Sequence, residues 1–329
     1  MEIHLIFTQN NKLKVSIFNN QFQHGDFKIC FSLVYSIQAV QGGSIVKKVG
    51  RYYEINSEQD EIFFSLQEPR IGSYNLSCGP EGLFVLDKND IKIECKIIPL
   101  KFENPIPKIE YSEDSDNIFN PIIPLPNNLK LKKETVQIKD LIFKISSSEK
   151  GFFDNFENLV KVSNIKFNTL MGFPIVFTKK QLQSEEYKIT IDKNLITIHY
   201  SDYGGKFYSI ISLIQLLNYY NSNLPLGLIQ DSPALNWRGM HLDCARQFYS
   251  IDEIKRLLDY MSFFKLNRFH WHLTDNEAWR VELQCYPNLT KVGAFRGYNE
   301  AIPPFYGTGY HKSGGYYSRT EIKELIEYA

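Results

Sequence analysis

The order of apolar segments after Trp237 constrains the fold of this chain more than any other feature of its sequence. A strand pattern at 238–245 precedes an amphipathic helix, and a second strand pattern at 268–274 precedes another helix. Each helix begins at a serine followed three residues later by glutamate, the spacing of a capping box. Apolar stripes that face the core are predicted on both helices, at Ile254, Leu257, Leu258, Met261 and Phe264 and at Ile322, Leu325 and Ile326. Strands that alternate with helices predict a parallel sheet with helices packed against it.

The first 116 residues follow a different pattern. Short runs rich in Val, Ile, Phe and Tyr are separated by Gly, Asn, Asp and Pro. The runs lie at 12–18, 27–37, 52–55, 61–66, 82–86 and 91–98. This spacing predicts an antiparallel β-sandwich over 1–116, which we expect to be a packing module or a carbohydrate-binding-like module.

The segment between these two parts contains a linker and a third predicted domain. Acidic and polar residues at 112–117 precede three closely spaced prolines, which indicates a linker over 117–126. Over 122–232 we predict an α+β domain, with paired strands at 186–191 and 195–199 and a helix at 207–217 whose apolar residues lie on one face. The remaining domain, 233–329, contains the alternating strands and helices.

Composition excludes several classes of partner. Lys plus Arg and Asp plus Glu both number 37, so the neutral chain has no electrostatic reason to bind nucleic acid or an anionic membrane. No apolar run approaches the roughly 20 residues of a membrane span. The N-terminus lacks a signal-peptide pattern, which predicts a cytoplasmic location. Two glycosylation sequons, at Asn75 and Asn288, would fit a lysosomal or secreted protein whose N-terminus is incomplete.

The cysteines and histidines bear on metal and disulfide chemistry. The five cysteines are odd in number and show no C-x-x-C spacing, so we expect mostly buried free thiols and no zinc cluster. His270 and His272 alternate along the second predicted strand and share a face. Such a pair can bind zinc, but without further ligands hydrogen-bonded structural imidazoles are favoured.

Charged residues at the ends of the two predicted strands are the candidates for a site. Asp243 follows the first strand, Asp275 follows the second, and Arg246 comes three residues after Asp243. Sites of parallel β/α architectures lie at the carboxyl ends of the strands. A carboxylate there serves a site or caps the next helix. Trp279 and Arg280 would contact a polar ligand or seal the rim of the site.

Five linked motifs in this region resemble the catalytic domain of glycoside hydrolase family 20, the β-N-acetylhexosaminidases. They are WRGMHLDCAR at 237–246, FHWHLTD at 269–275, AWR at 278–280, YPNLTKVGAFR at 286–296 and GYYS at 315–318. Upstream, 123–126 and 187–217 resemble the domain that precedes the barrel in this family. The sequence departs from the common pattern at Gln247 and at 276–278, where Asn, Glu and Ala replace Asp, Gln and Gly.

The resemblance implies roles for three residues. Arg246 would hold hydroxyls of a terminal N-acetylhexosamine, with Asp243 as the neighbouring carboxylate that supports this subsite. Trp279 is a further candidate for contact with the substrate, because of its position in the loop after Asp275. Asp275 would orient a histidine that contacts the catalytic acid. Substrates would be glycans ending in N-acetylglucosamine or N-acetylgalactosamine. The acetamido oxygen of the substrate acts as nucleophile in this family, and no cofactor or metal is implied.

The same resemblance implies an adjacent Asp–Glu pair on the fourth barrel strand, which has no counterpart here. Asp252–Glu253 opens a helix and suits the helix dipole instead. We therefore expect only the first two βα units of a (β/α)8 barrel, and a truncated chain that does not hydrolyse glycosides. Two alternatives stay open: a non-catalytic carbohydrate-binding or interaction protein, and a metal-dependent hydrolase that uses His270 and His272.

Overall fold

The structure divides the chain into two compact units that do not follow sequence order. The computed structural model describes residues 1–8, 12–67, 79–102, 120–154, 156, 159 and 164–329. The first unit consists of Met1–Tyr111, Asp243–Tyr249 and Trp271–Glu327, and the second of Ser112–Leu242, Ser250–His270 and Tyr328–Ala329. Asn75, Cys78 and the polar residues 112–117 lie outside the described residues.

Over the residues that the structure describes, two five-stranded sheets form the N-terminal part of the first unit. Their strands are β1 (Glu2–Phe7), β2 (Lys12–Phe18), β3 (Phe27–Ser32), β4 (Ile37–Gln41), β5 (Gly43–Val49), β6 (Tyr52–Ser57), β7 (Glu61–Leu66), β8 (Glu81–Asp87), β9 (Lys92–Ile93) and β10 (Lys96–Phe102). One sheet has the order β10-β1-β2-β7-β4 and the other β5-β6-β3-β8-β9. The predicted sandwich is present.

Alternating side chains build the core of this sandwich. In β1, Ile3, Leu5 and Phe7 are buried while the residues between them are partly exposed. They join one apolar cluster with residues of the opposite sheet such as Ile29 and Ile55, as period-two alternation requires. The predicted strand 27–37 is wrong, because residues 33–36 leave the strand conformation and β3 and β4 belong to different sheets. The β1–β10 pair is parallel, against the antiparallel prediction.

The second unit contains a seven-stranded sheet, counted over its described residues. Its strands are β11 (Asn128–Gln137), β12 (Ile142–Lys144), β13 (Lys166–Asn168), β14 (Phe173–Lys179), β15 (Tyr187–Ile191), β16 (Ile196–Tyr200) and β17 (Asn223–Asp231), with short 3-10 helices at Lys139–Leu141 and Ser147–Glu149 and helix α1 at Lys150–Asp154. The order is β11-β17-β15-β16-β14-β12-β13. The predicted hairpin is confirmed as the antiparallel β15–β16 pair.

Helix α2 (Tyr203–Tyr220) connects β16 to β17 of this sheet and is longer than predicted. Asp202 caps it by accepting the backbone N–H of Gly205 at 2.9 Å. Every residue from 208 to 217 is buried, so the prediction of one apolar face is too narrow. The amide of Gln215 donates to the carbonyl oxygens of Ile123 and Phe263, which shows that the chain also covers the side away from the sheet.

The C-terminal elements alternate as predicted. They are β18 (Gly239–Asp243), α3 (Ile251–Phe263), β19 (Arg268–His272), β20 (Thr274–Asp275), β21 (Ala278–Trp279), α4 (Asn288–Lys291), β22 (Phe295–Arg296), β23 (Ser313–Gly314) and α5 (Arg319–Tyr328). β18 and β19 are neighbours in one sheet. The N–H of Asn267 bonds the Arg238 carbonyl before the strands, and that of Cys244 bonds the His272 carbonyl after them, so the strands run in the same direction.

Both predicted capping boxes form, at Ser250 with Glu253 and at Ser318 with Glu321. The predicted apolar stripes are wrong at two positions, because Phe264 lies beyond the end of α3 and Ile326 is exposed. The four described cysteines are free: Cys30 and Cys244 are buried, Cys95 is partly buried and Cys285 is exposed. In the described part of the chain, no helix combines the length and apolar character that crossing a membrane requires.

Candidate functional site

Three carboxylates and one imidazole surround the guanidinium of Arg246 in the first unit. Arg246 Nη1 lies 3.0 Å from Asp243 Oδ2 and 2.7 Å from Asp275 Oδ2. Its Nε lies 3.1 Å from Glu277 Oε2, and His272 Nε2 lies 3.1 Å from Asp275 Oδ2. The Arg246 side chain keeps 33% of its surface exposed, so a ligand can reach it. The structure thus brings the predicted Asp243, Arg246 and Asp275 together.

Asp243 holds both the backbone and the guanidinium of this site. Its Oδ1 accepts the backbone N–H groups of Ala245 and Arg246, each at 3.1 Å, which turns the chain directly after β18. Its Oδ2 accepts from Arg246 Nη1. It does not cap helix α3, which Ser250 caps. The turn therefore fixes the direction in which Arg246 leaves the strand.

Glu277 and His272 belong to the cluster, although sequence reasoning assigned them no role in it. β20 and β21 form a hairpin whose two loop residues are Asn276 and Glu277, so Glu277 follows Asp275 closely around the turn. The only sequence signal was the departure at 276–278. His272, from the strand that leads to Asp275, contacts the Asp275 carboxylate. The histidine that the resemblance implies beside Asp275 belongs to a later barrel strand, so His272 is a different residue.

The contacts within the cluster favour the charged forms of Asp275 and Arg246. The backbone N–H of Asn276, followed by His272 and Arg246, lowers the pKa of Asp275 despite the opposing effect of burial. Burial works to lower the pKa of Arg246, but Asp243, Glu277, Tyr306 and Asp275 together raise it. The cluster therefore presents a fixed cation among fixed acceptors, which suits a neutral ligand with several hydroxyl groups better than a strongly charged one.

Two family models match adjacent parts of the chain. The model described as glycosyl hydrolase family 20, domain 2, matches residues 120–232, and the model of the catalytic domain of the same family matches residues 235–329. The chain belongs to glycosyl hydrolase family 20. The matched catalytic region contains every residue of the Arg246 cluster.

Relatives of this family-20 chain agree with the match. It is 39% identical over 157 residues to a beta-hexosaminidase of Vibrio furnissii, covering 47% of this chain and 26% of the relative. It is 30% identical over 244 residues to the N,N'-diacetylchitobiase of Vibrio harveyi, covering 69% and 28%. The chain thus spans little more than a quarter of these relatives.

A solved structure from Vibrio harveyi extends the likeness to the whole chain. It is a family-20 exo β-N-acetylglucosaminidase in complex with N-acetylglucosamine, with a TM-score of 0.81 and 25% identity. The alignment covers 100% of this chain and 55% of that one. The multidomain, sheet-rich fold with few helices is therefore shared over the N-terminal sandwich as well.

In this family-20 chain, Arg280 contacts the buried backbone beside the cluster rather than a position that a ligand could reach. Arg280 is 1% exposed, and its guanidinium donates to the carbonyl oxygens of Cys244 (2.9 Å), Ala245 (3.2 Å), Gly315 (2.9 Å) and Ala294. Burial lowers its pKa to about 10. Neither open alternative, ligand contact or rim, describes this residue, because it fixes the backbone that follows Asp243.

Trp279, His270 and His272 lie in environments different from that of Arg280. Trp279 is half-buried and its indole N–H donates to the carbonyl oxygen of Val281 at 2.7 Å, so only its ring is left for a sugar, and its role stays a prediction. The ring of His270 lies edge-on to His241 with centroids 4.7 Å apart. His272 Nε2 lies 3.4 Å from the guanidinium of Arg246, a cation that disfavours a metal ion at this nitrogen.

Proposed function

We propose that this chain carries the sugar-holding part of the active site of a β-N-acetylhexosaminidase. The observation that supports this most is the partly exposed Arg246, held by three carboxylates after a strand end. The proposed ligand is the terminal non-reducing N-acetylglucosamine or N-acetylgalactosamine of a glycan. The names of the relatives, and the N-acetylglucosamine in the Vibrio harveyi structure, point to the same class.

The chemistry of the cluster supports a sugar as ligand. A guanidinium only donates hydrogen bonds and a carboxylate only accepts them, whereas each sugar hydroxyl does both. Adjacent hydroxyls can therefore accept from Arg246 and donate to Asp275 or Glu277 together. The planar fork of arginine suits such paired contacts, and lysine does not reproduce it. In the proposed reaction, the acetamido oxygen of the substrate attacks the anomeric carbon, so the enzyme contributes no nucleophile.

The strands and helices around this site support its assignment to a (β/α)8 barrel. We propose that β18, α3, β19 and α5 are the first two βα units of a (β/α)8 barrel. The same-direction hydrogen bonding of β18 and β19 and the helices after each strand support this assignment. In such barrels, functional residues lie at the carboxyl ends of the strands, the position of Asp243 and Asp275.

These 329 residues are proposed to bind the sugar without hydrolysing it, because no Asp–Glu pair matches the catalytic motif of the family. The test titrates N-acetylglucosamine into the protein by calorimetry and assays a chromogenic N-acetylglucosaminide. We expect binding and no turnover. Turnover would overturn the second part of the proposal, and a wild-type chain that binds neither N-acetylglucosamine nor N-acetylgalactosamine would overturn the first.

A matched pair of variants ties the binding to Arg246. Arg246→Lys keeps the charge but loses the planar fork, and we expect roughly tenfold weaker sugar binding. Arg319→Lys makes the same change at an exposed residue of α5 and should leave the affinity unchanged. Equal affinity of both variants would place the sugar elsewhere.

A further inference from the structure

The N-terminal sandwich touches a segment that reaches the Arg246 cluster. We call residues 297–310 the docking loop. Tyr298 and Tyr310 of this loop stack with ring centroids 5.4 Å apart, and Phe84 of β8 meets them edge-on at 5.9 and 5.5 Å. These rings cover a small apolar cluster on the outer face of one sandwich sheet. Its buried members are Cys30, Tyr52, Phe84 and Leu86.

Backbone contact between sandwich and docking loop is close enough to require glycine. Gly82 has φ +59°, and a Cβ added to it would lie 2.7 Å from the nitrogen of Gly309 and 2.8 Å from the carbonyl carbon of Gly307. A Cβ at Gly50 would lie 3.2 Å from the ring of Phe305. Since real Cβ atoms do not approach backbone within 3 Å, any side chain at Gly82 must displace the loop.

One residue of the docking loop contacts the cluster directly. The hydroxyl of Tyr306 donates to Glu277 Oε1 at 3.1 Å. The guanidinium groups of Arg51, from the sandwich, and Arg296 lie 5.6 and 5.5 Å from the centroid of its ring. Tyr306 has φ +49°, a conformation that a tyrosine adopts only when its surroundings hold it. It therefore connects the sandwich to the cluster.

The bond from Tyr306 is the one that orients Glu277. Glu277 Oε2 is buried and has no donor in hydrogen-bond geometry among the described residues, although Arg246 Nε forms an ion pair with it at 3.1 Å. The direction of the carboxylate is thus set at Oε1, by Tyr306. A second route runs through Thr308, whose hydroxyl accepts from Arg296 Nε at 2.6 Å, since Arg296 also donates to the carbonyl oxygen of Arg246.

We propose that the sandwich is a positioning domain for the sugar site, with Tyr306 as the positioning residue that transmits its contact to Glu277 and Arg246. The effect on sugar binding rests on the proposed function; the effect on the geometry of Arg246 does not. Tyr306 need not touch the sugar. Its role is to hold one carboxylate so that the guanidinium keeps its direction between Asp243 and Asp275.

The test uses two variants of the full chain and two controls. Tyr306→Phe removes only the hydroxyl, while Tyr286→Phe makes the same change at an exposed tyrosine. Gly82→Ala forces a Cβ into the docking loop, while Gly25→Ala places one at φ +89° with no atom within 4 Å. Both glycine variants pay a similar left-handed backbone cost, so a difference between them reports the contact.

Two function-independent readouts decide the proposal. They are the nitrogen-15 Nε–H resonance of Arg246, assigned by its loss in Arg246→Lys, and hydrogen exchange of the amides at 274–279 and 297–310. We expect the resonance to move in Tyr306→Phe and in Gly82→Ala but in neither control. We also expect exchange in both segments to accelerate roughly tenfold in Gly82→Ala. An unmoved resonance in Tyr306→Phe, or unchanged exchange at 274–279 in Gly82→Ala, would overturn the proposal.

Sugar affinity, measured on the same proteins, separates this proposal from the proposed function. We expect N-acetylglucosamine to bind roughly tenfold more weakly to Tyr306→Phe than to Tyr286→Phe. If the wild-type chain binds no sugar while the resonance still moves, the proposed function fails and the positioning role stands. If the sugar binds equally to both tyrosine variants while the resonance stays in place, the positioning role fails and the proposed function stands.

Discussion

Arg280 shows how little the type of a residue says about its role. The sequence placed this arginine beside Trp279 in a family motif and left open a contact with ligand or a place at the rim. Its buried guanidinium instead donates to four backbone carbonyl oxygens after β18 and around β22 and β23. Nothing in the local sequence signals this, because the acceptors are backbone atoms up to 36 residues away.

This network predicts the effect of Arg280→Lys. Lysine has three donors and no planar fork, so at least one buried carbonyl loses its partner, and we expect a loss of about 2 kcal/mol in the free energy of unfolding. Urea unfolding of the variant, against Arg319→Lys as the exposed control, measures it. Equal midpoints for the two variants would mean that water replaces the guanidinium.

At the scale of elements, features specified by residues close together in sequence were predicted correctly, whereas contacts between distant segments had no recognisable sequence pattern. The capping boxes, the β15–β16 hairpin and the β18–α3–β19 order follow from residues within a few positions of each other, and all are present. The parallel pairing of β1 with β10 joins strands more than 85 residues apart and has no local signature. The packing of α2 on all sides depends likewise on segments remote in sequence.

The capping box of α3 gives a prediction with an internal control. Ser250 accepts the N–H of Glu253, whose carboxylate accepts the N–H of Ser250 in return. Ser250→Ala should lower the free energy of unfolding by about 1 kcal/mol, whereas Ser250→Gly should cost only a few tenths. Thermal unfolding of both variants gives the comparison. A glycine variant as unstable as the alanine variant would contradict the capping argument.

A buried ion pair joins the end of α3 to the sheet of the second unit. Lys265 Nζ lies 2.9 Å from both Asp231 Oδ2 and the Tyr187 hydroxyl. Lys265→Met should destabilise the protein by about 3 kcal/mol, because a buried carboxylate loses its counter-ion. The double variant with Asp231→Asn should recover part of this loss. Urea unfolding of both tests it, and a double variant less stable than Lys265→Met would refute the account.

The same lysine predicts a pH dependence. Burial lowers the pKa of Lys265, although Asp231 opposes the shift. The folded protein therefore releases this proton at lower pH than the unfolded chain, whose lysine titrates at about pH 10.4. The stability contributed by Lys265 should then rise with pH up to that value and level off above it. The difference in free energy of unfolding between wild type and Lys265→Met, measured by urea unfolding from pH 7 to 10, should grow with pH. A constant difference would count against this account.

At the scale of the whole molecule, the sequence predicted the family and three residues that meet in the candidate site, but not the contacts that support them. Arg246, Asp243 and Asp275 lie within recognisable motifs, so their meeting could be predicted. The sequence marked Glu277 only as a departure from the common family pattern, and no sequence motif pointed to Tyr306. The contact of Gly82 with the docking loop joins residues more than 220 positions apart, where neither periodicity nor motif spacing carries information.

The contact between the sandwich and the docking loop leads to a prediction for a chain that is cut between them. A specific protease site inserted after Tyr111, where the units divide, would separate the sandwich covalently from the rest. Because Phe84 is buried against Tyr298 and Tyr310, we expect the two fragments to remain together on a sizing column in native buffer. Phe84→Ala removes that ring contact and should promote their separation, while Phe22→Ala, at an exposed ring outside the apolar clusters, should not. A cut wild-type sandwich that elutes alone would show that the docking loop does not hold it, and would leave the positioning of Arg246 to the loop's own contacts.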